Sequence, residues 1–235
     1  MTGEVSSGAR NGSGKVVIAG TGRAGTTLLV QVLTDLGLDT GFEGTAPIDA
    51  GVNAGLERSI EGPDAPRIVK SPDLSRTLGV ILDAGRVRVD HVIIPIRDLD
   101  VAAASRIRNT KYGSDLHTWG GLLGTNRATR QRDALTGMLY ELLYTVARHD
   151  LDHTFLLFPR FTTDWEYTYA QLSFLAPEIG ADQWREALRA RVKPGLIHER
   201  PLSRAERGLT VAGTIYNRGI ARPFRGLWKL VRPGR

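Results

Sequence analysis

The sequence contains no cysteine among its 235 residues. Disulfide bonds, thiolate metal sites and cysteine nucleophiles are therefore excluded as sources of stability or chemistry. The sequence also lacks an apolar run long enough to cross a bilayer, and no secretory signal is visible near its start. We therefore expect a cytoplasmic protein without stable membrane insertion.

The charge balance is basic, with a net charge of +6 and a pI near 9.9. Such a balance fits a polyanionic ligand, which includes nucleotides, nucleic acids and membrane surfaces. Apolar residues make up 41% of the chain, enough for a sizeable core. Residues 1–14 are rich in Ser and Gly and predict a flexible leader. Residues 15–235 show neither an internal repeat nor a second boundary, so we expect one domain.

Strand-like and helical segments alternate along most of the chain, which is typical of a parallel sheet in an α/β fold. We expect three layers, α/β/α, with the sheet in the middle. The predicted strands are Val16–Ala19, Arg67–Lys70, His91–Ile96 and Thr154–Phe158. The first predicted helix begins near Thr26. The other predicted helices are Leu74–Ala84, Val101–Asn109, Ala134–His149, Trp165–Leu175 and Asp182–Val192.

A glycine-rich turn joins the first strand to the first helix, from Gly20 to Gly25. Glycines let backbone N–H groups approach a phosphate, and the dipole of the following helix favours negative charge. The spacing resembles the Walker pattern GxxxxGK[ST], but Thr26 stands where the Walker lysine belongs. The cation lies inside the turn instead, as Arg23. The turn therefore predicts an anion cradle without the usual lysine.

Three cations follow three different strands: Arg23, Lys70 and Arg97. Ligands of open α/β sheets bind outside the carboxyl ends of the strands. We therefore expect these three side chains to converge at one edge of the sheet, although strand-end loops also carry ordinary surface cations.

These motifs resemble those of sulfotransferases that use 3′-phosphoadenosine 5′-phosphosulfate (PAPS). The run from Arg23 to Thr27, Arg-Ala-Gly-Thr-Thr, is similar to the family's 5′-phosphosulfate loop, Lys-Ser-Gly-Thr-Thr. Arg97 ends a strand and Ser105 follows eight residues later, as in the family's 3′-phosphate site. Ile68–Pro72 resembles the segment whose lysine lies beside the transferred sulfuryl group, which makes Lys70 that lysine.

The resemblance implies a P-loop-NTPase-like sulfotransferase fold, PAPS as donor and its desulfated form, adenosine 3′,5′-bisphosphate (PAP), as product. It also implies a small-molecule or glycan acceptor, no metal and no nucleic-acid partner, and it allows a homodimer. Arg23 and Lys70 would be catalytic. The residues implied to bind the nucleotide are Gly22, Arg23, Ala24, Gly25, Thr26, Thr27, Arg97 and Ser105, together with Arg218 and Gly219, the nearest remnant of a C-terminal Arg-Lys-Gly motif.

The general base is not fixed by the resemblance. Many family members carry a histidine two residues after the strand-end lysine, and Pro72 occupies that position here. Another branch of the family has a glutamate just after the first helix, about where Glu43 stands, and a carboxylate becomes an effective base when burial raises its pKa. Asp73 and His117 are the alternatives.

Other classes of protein remain open. A P-loop kinase would transfer phosphate from ATP and would use Asp98 to hold a metal ion, but it also needs the missing lysine. A glycosyltransferase would use Asp98 and Asp100 as a metal-binding DxD motif, which is common by chance. A basic binding module would explain the charge but not the glycine-rich turn. The basic segment Arg218–Arg235 is consistent with phosphate or membrane binding, or with docking onto the core.

Overall fold

The computed structural model describes residues 14–43, 55–113, 115, 121–193, 195 and 200–216. Its strands are β1 (Lys15–Ile18), β2 (Ile68–Lys70), β3 (Val89–Ile96) and β4 (His153–Leu157). The helices of this part of the chain are α1 (Thr26–Asp35), α2 (Leu74–Asp83), α3 (Leu99–Asn109), α4 (Gln131–Arg148), α5 (Arg160–Thr163), α6 (Trp165–Leu172), α7 (Ala181–Arg191) and α8 (Arg204–Ile215). Short 3₁₀ helices precede α4 (Ala128–Arg130) and follow α6 (Ser173–Leu175).

The strands form one parallel sheet in the order β2-β1-β3-β4. Val17 of β1 lies between Val69 of β2 and Val92 of β3, and all three are fully buried. Burial on both faces explains why these strands are almost continuously apolar in the sequence. The predicted α/β class with a parallel sheet is confirmed.

Helices cover both faces of this sheet. The chain moves from β1 to β2 in one direction and then crosses back over β1 to reach β3. Because such crossovers are right-handed, α1 and α2 must lie on opposite faces. Accordingly, Leu33 of α1 packs with Ile18, whereas Leu78 of α2 packs with Val17, in two separate core clusters.

The long helix α4 packs beside α2, as its apolar stripe predicts. Leu135, Met138, Leu142 and Val146 are its buried apolar residues, and Leu142 and Val146 belong to the core cluster that contains Leu78. Burying one such leucine contributes about 1.5–3 kcal/mol. The stripe is therefore core.

Several boundaries differ from the predicted ones. Strand β3 begins two residues earlier than predicted, at Val89 instead of His91. The predicted fourth strand ends at Leu157, not at Phe158. The helix predicted to reach Leu175 stops at Leu172 and continues as a 3₁₀ turn.

The hydrophobic pattern does not predict α8. Its start is a capping box, in which the Ser203 hydroxyl accepts from the Glu206 N–H and the Glu206 carboxylate accepts from the Ser203 N–H. The Arg108 guanidinium of α3 donates to Glu206 at 2.9 Å. This partly buried ion pair connects α8 to α3.

The predicted leader falls outside the described residues except for Gly14, and so does the whole basic segment Arg218–Arg235. In the described part of the chain, no helix is both long and apolar enough to span a bilayer.

Candidate functional site

The strand order creates a crevice at the carboxyl ends of β1 and β3. The chain leaves β1 toward β2 on one side, whereas β3 lies on the other side, so the connections after β1 and β3 diverge. Such a reversal point is where ligands of open α/β sheets bind. The glycine-rich turn follows β1 and Arg97 follows β3, so both predicted motifs lie at this crevice.

The glycine-rich turn has a backbone that only a few residues can adopt. Gly22 and Arg23 have φ angles of 66° and 56°, and Gly25, the N-cap of α1, has a φ of 75°. A Cβ atom on Gly22 would lie 2.6 Å from an Arg106 nitrogen, and one on Gly25 would lie 2.6 Å from the Phe161 ring. Gly25 therefore has no room for a side chain, and at Gly22 a side chain would be strained and would have to displace the Arg106 guanidinium. Arg23 has no such freedom, so its left-handed conformation stores strain at this position.

Arg97 and Ser105 both contact Arg23 at the crevice. The Arg97 guanidinium donates to the Arg23 carbonyl oxygen at 2.6 Å and lies 4.7 Å above the centre of the Phe158 ring. The Arg23 Nε donates to the Ser105 hydroxyl at 3.2 Å. Arg23 thus links Arg97 and Ser105, and its contact with Arg97 agrees with the predicted convergence of the strand-end cations. The ring packing fixes the orientation of the Arg97 fork.

Lys70 is the last residue of β2, and its side chain is only 3% exposed. Its ammonium donates to the Gly55 carbonyl at 2.6 Å and to the Glu57 carboxylate at 3.1 Å. Burial lowers the pKa of Lys70, the nearby charge of Glu57 partly opposes this shift, and Arg23 adds to it. Lys70 therefore stands within the electrostatic reach of the glycine-rich turn.

A fourth cation, Arg106, belongs to this site but was not predicted. It is buried, and it donates to the Thr21 carbonyl at 2.6 Å and to the Gly121 carbonyl at 2.7 Å. Its Nε is buried without a hydrogen-bond partner in the described part of the chain. The sequence contains a signal for this residue. In residues 101–107 of α3, Ser105 and Arg106 are the only polar residues. An arginine in such a run is a candidate buried cation.

These cations destabilise one another's charged forms. The pKa of Arg106 is lowered to about 10, chiefly by burial and secondly by the charge of Arg23. The charge of Arg23 also lowers the pKa of Lys70. Burial lowers the pKa of Arg23 itself. An anion bound between these side chains would relieve both desolvation and repulsion, so the site is suited to a polyanion. The same charges would stabilise a negative leaving group.

The remaining residues of the turn have different exposures. Ala24 and Thr26 are buried, and Thr27 is half-buried in the first turn of α1. That first turn contains no acidic residue that would oppose an anion.

Of the two predicted bases that the structure describes, Asp73 acts on this site, because its charge opposes the lowering of the pKa of Arg106. Glu43 is exposed at the end of a described segment, so the burial that the prediction assumed is absent there. Asp73 is also exposed, next to the start of α2. His117, Arg218 and Gly219 lie outside the described residues.

Asp98 and Asp100 have structural roles. The Asp98 carboxylate accepts from the Val101 N–H at 2.9 Å and caps α3. Asp100 pairs with Arg132 across 3.4 Å. In the part of the chain that the structure describes, no group of three or more His, Asp and Glu side chains is arranged to hold a metal ion.

A separate cavity of about 430 Å³ lies on another face of α3. Ala103 and Ile107 of α3 line it together with Val211 of α8. Arg23, Lys70, Arg97 and Arg106 are not among its lining residues. The cavity is therefore not the predicted anion site.

No protein-family model matches this chain, and no curated protein or solved structure is significantly similar to it.

Proposed function

We propose that the chain is a sulfotransferase that moves a sulfuryl group from PAPS to a hydroxyl or amine. The observation that carries the proposal is the contact group of Arg23, Arg97 and Ser105 at the crevice between β1 and β3. A glycine-rich turn and buried cations support it, because both favour a ligand with several negative charges. The P-loop-like sulfotransferase fold is part of the same proposal.

Each part of the site has a role in this proposal. Arg97 and Ser105 bind the 3′-phosphate, since a guanidinium fork and a hydroxyl suit phosphate oxygens. The turn from Gly22 to Thr27 binds the 5′-phosphosulfate through backbone N–H groups. Lys70 and Arg23 stabilise the charge that develops on the leaving phosphate. Arg218 and Gly219 would add to the 3′-phosphate site.

The transfer would be an in-line displacement, by analogy with phosphoryl transfer. The acceptor is a small molecule or a glycan, and Glu43, Asp73 and His117 are the bases that the sequence suggests. The proposal needs no metal, because protein cations neutralise the leaving group. It also assumes a cytoplasmic location, no nucleic-acid partner and, as an open possibility, a homodimer.

A P-loop kinase is the competing function, and the described residues do not favour it. Thr26 replaces the lysine that a kinase needs, and the carboxylate expected to hold its metal, Asp98, caps α3 instead. Because both functions use a nucleotide, binding measurements separate them directly.

Isothermal titration calorimetry with PAP and, separately, with ATP and magnesium tests the proposal. We expect PAP to bind at least roughly tenfold more tightly, because one charge-assisted phosphate contact contributes on the order of 1.5–3 kcal/mol. A screen with ³⁵S-labelled PAPS against alcohols, phenols, amines and sugars then identifies the acceptor class. Binding of ATP with magnesium in preference to PAP would contradict the proposal and support the kinase.

A further inference from the structure

A carboxylate outside the predicted site residues, that of Glu57, contacts Lys70. The Glu57 carboxylate lies 3.1 Å from the Lys70 ammonium. The lysine side chain is 3% exposed and that of Glu57 is 31% exposed, so Glu57 covers Lys70 on its solvent side. Glu57 is thus the solvent-facing member of this ion pair.

The backbone around Glu57 is held in an unfavourable conformation. Leu56 has a φ of 57°, which is an outlier for a bulky residue. Its two neighbours contact the same ammonium group, Gly55 through its carbonyl and Glu57 through its side chain. Strain of this kind persists only where surrounding contacts fix the chain, and it is common at functional sites.

The segment is also anchored on the other side of Glu57. Ile60 is buried in the core cluster that contains Val69, the neighbour of Lys70 in β2. The position of the Glu57 carboxylate is therefore fixed both at Lys70 and at the core.

Arg23, Lys70, Arg97 and Arg106 form the cationic cluster of the site. The charge of Glu57 acts on this cluster, while the exposed Glu43 has no described contact with it. The negative charge of Glu57 opposes the lowering of the pKa of Lys70 and also that of Arg106. Glu57 therefore lies within the field of two of the cations that would surround the donor.

We propose that Glu57 is the general base that accepts the acceptor's proton, and that Lys70 orients its carboxylate. This inference rests on the proposed sulfotransferase function. The acceptor O–H or N–H bond breaks and its proton passes to a carboxylate oxygen of Glu57. The freed electron pair forms the new bond to sulfur. The bond between sulfur and the bridging oxygen breaks, and its electron pair leaves with PAP.

The test uses water as the acceptor, so it does not depend on the natural one. Release of ³⁵S-sulfate from labelled PAPS is measured for the wild-type chain and for Glu57→Gln, Glu57→Asp and Glu43→Gln. Glu61→Gln is the matched control, because it makes the same substitution in the same segment but outside the cluster. Gln at 57 keeps a hydrogen-bond acceptor for Lys70, and thermal unfolding checks that each variant is folded.

We expect Glu57→Gln to slow sulfate release at least about a hundredfold, the usual contribution of a general base. Affinity for PAP should not fall, because no phosphate contact is lost. Glu57→Asp should retain part of the rate, and Glu61→Gln all of it.

Wild-type rates in Glu57→Gln would overturn the assignment, and so would a loss of turnover in Glu43→Gln alone. Retained turnover with tighter PAP binding in Glu57→Gln would also overturn it, because Glu57 would then only compete with the ligand for Lys70. A wild-type chain that binds PAP but transfers to neither water nor any screened acceptor contradicts a positioned base. Failure of the wild-type chain to bind PAP would instead refute the proposed function itself.

Discussion

Arg97→Met is the most informative single change, because Arg97 makes two contributions that can be separated. Its guanidinium donates to the Arg23 carbonyl at 2.6 Å and so holds the glycine-rich turn. In the proposed complex it also contacts the 3′-phosphate. Methionine keeps an apolar chain beside the Phe158 ring, which limits the loss of packing.

The two contributions affect two ligands differently. Loss of the bond to the turn weakens PAP and adenosine 5′-phosphosulfate equally, because both carry a 5′-phosphate. Loss of the phosphate contact weakens only PAP, because adenosine 5′-phosphosulfate has no 3′-phosphate. A charge-assisted hydrogen bond contributes about 1.5–3 kcal/mol. The ratio of the two Kd values should therefore shift by roughly tenfold to a hundredfold.

Isothermal titration calorimetry of both ligands, with wild-type protein and variant, measures this ratio. Arg86→Met is the control, since Arg86 pairs with Glu61 away from the cluster. Ser105→Ala should shift the ratio in the same direction but less, because it removes a neutral hydroxyl. Equal weakening of both ligands by Arg97→Met would refute the assignment of the 3′-phosphate to Arg97.

Four further outcomes are expected. A chelator should leave sulfate release from PAPS unchanged; a loss of turnover that magnesium restores would support the kinase. Lys70→Ala should lower kcat more than donor affinity in steady-state assays, since its charge acts mainly in the transition state. Gly22→Ala should weaken PAP binding in calorimetry, because its Cβ would displace the Arg106 guanidinium and alanine is strained at a φ of 66°. Hydrogen bonds from Arg108 and the Ser203 N–H hold the pKa of Glu206 well below its usual range. The ionised carboxylate therefore stabilises the fold at a pH above its pKa in the unfolded chain, about 4.3, and this stabilisation is lost as the pH falls toward its pKa in the folded chain. Glu206→Gln should therefore lower Tm at pH 7, and the difference from wild type should shrink below about pH 4.

Local patterns were sufficient to predict the sheet and the approach of the three strand-end cations. Apolar runs with few interruptions identify buried parallel strands, and parallel strands bring their carboxyl ends to one edge by necessity. The contact of Arg23 with Ser105 follows from that topology once β1 and β3 are neighbours. No comparable rule gives the order of the strands or the exact ends of the helices.

The missed features depend on contacts between distant segments. The start of α8 carries a Ser-x-x-Glu signal at Ser203 and Glu206, but its apolar residues Leu209, Val211 and Ile215 are exposed and form no buried stripe. Hydrophobic periodicity detects helices that bury an apolar face, so it misses a helix whose buried residues are Glu206 and Thr210.

The same limit explains why Glu43, and not Glu57, was among the bases predicted from the sequence. Both are acids in one long polar segment between β1 and β2, and a family pattern selected the first. The structure separates them by burial, because Ile60 fixes one end of residues 55–60 in the core and Lys70 holds the other end. A carboxylate that is fixed beside a buried lysine is pre-organised, whereas an exposed one must be ordered by the substrate at an entropic cost. Position relative to Lys70, which only the folded chain defines, is therefore the property that favours Glu57.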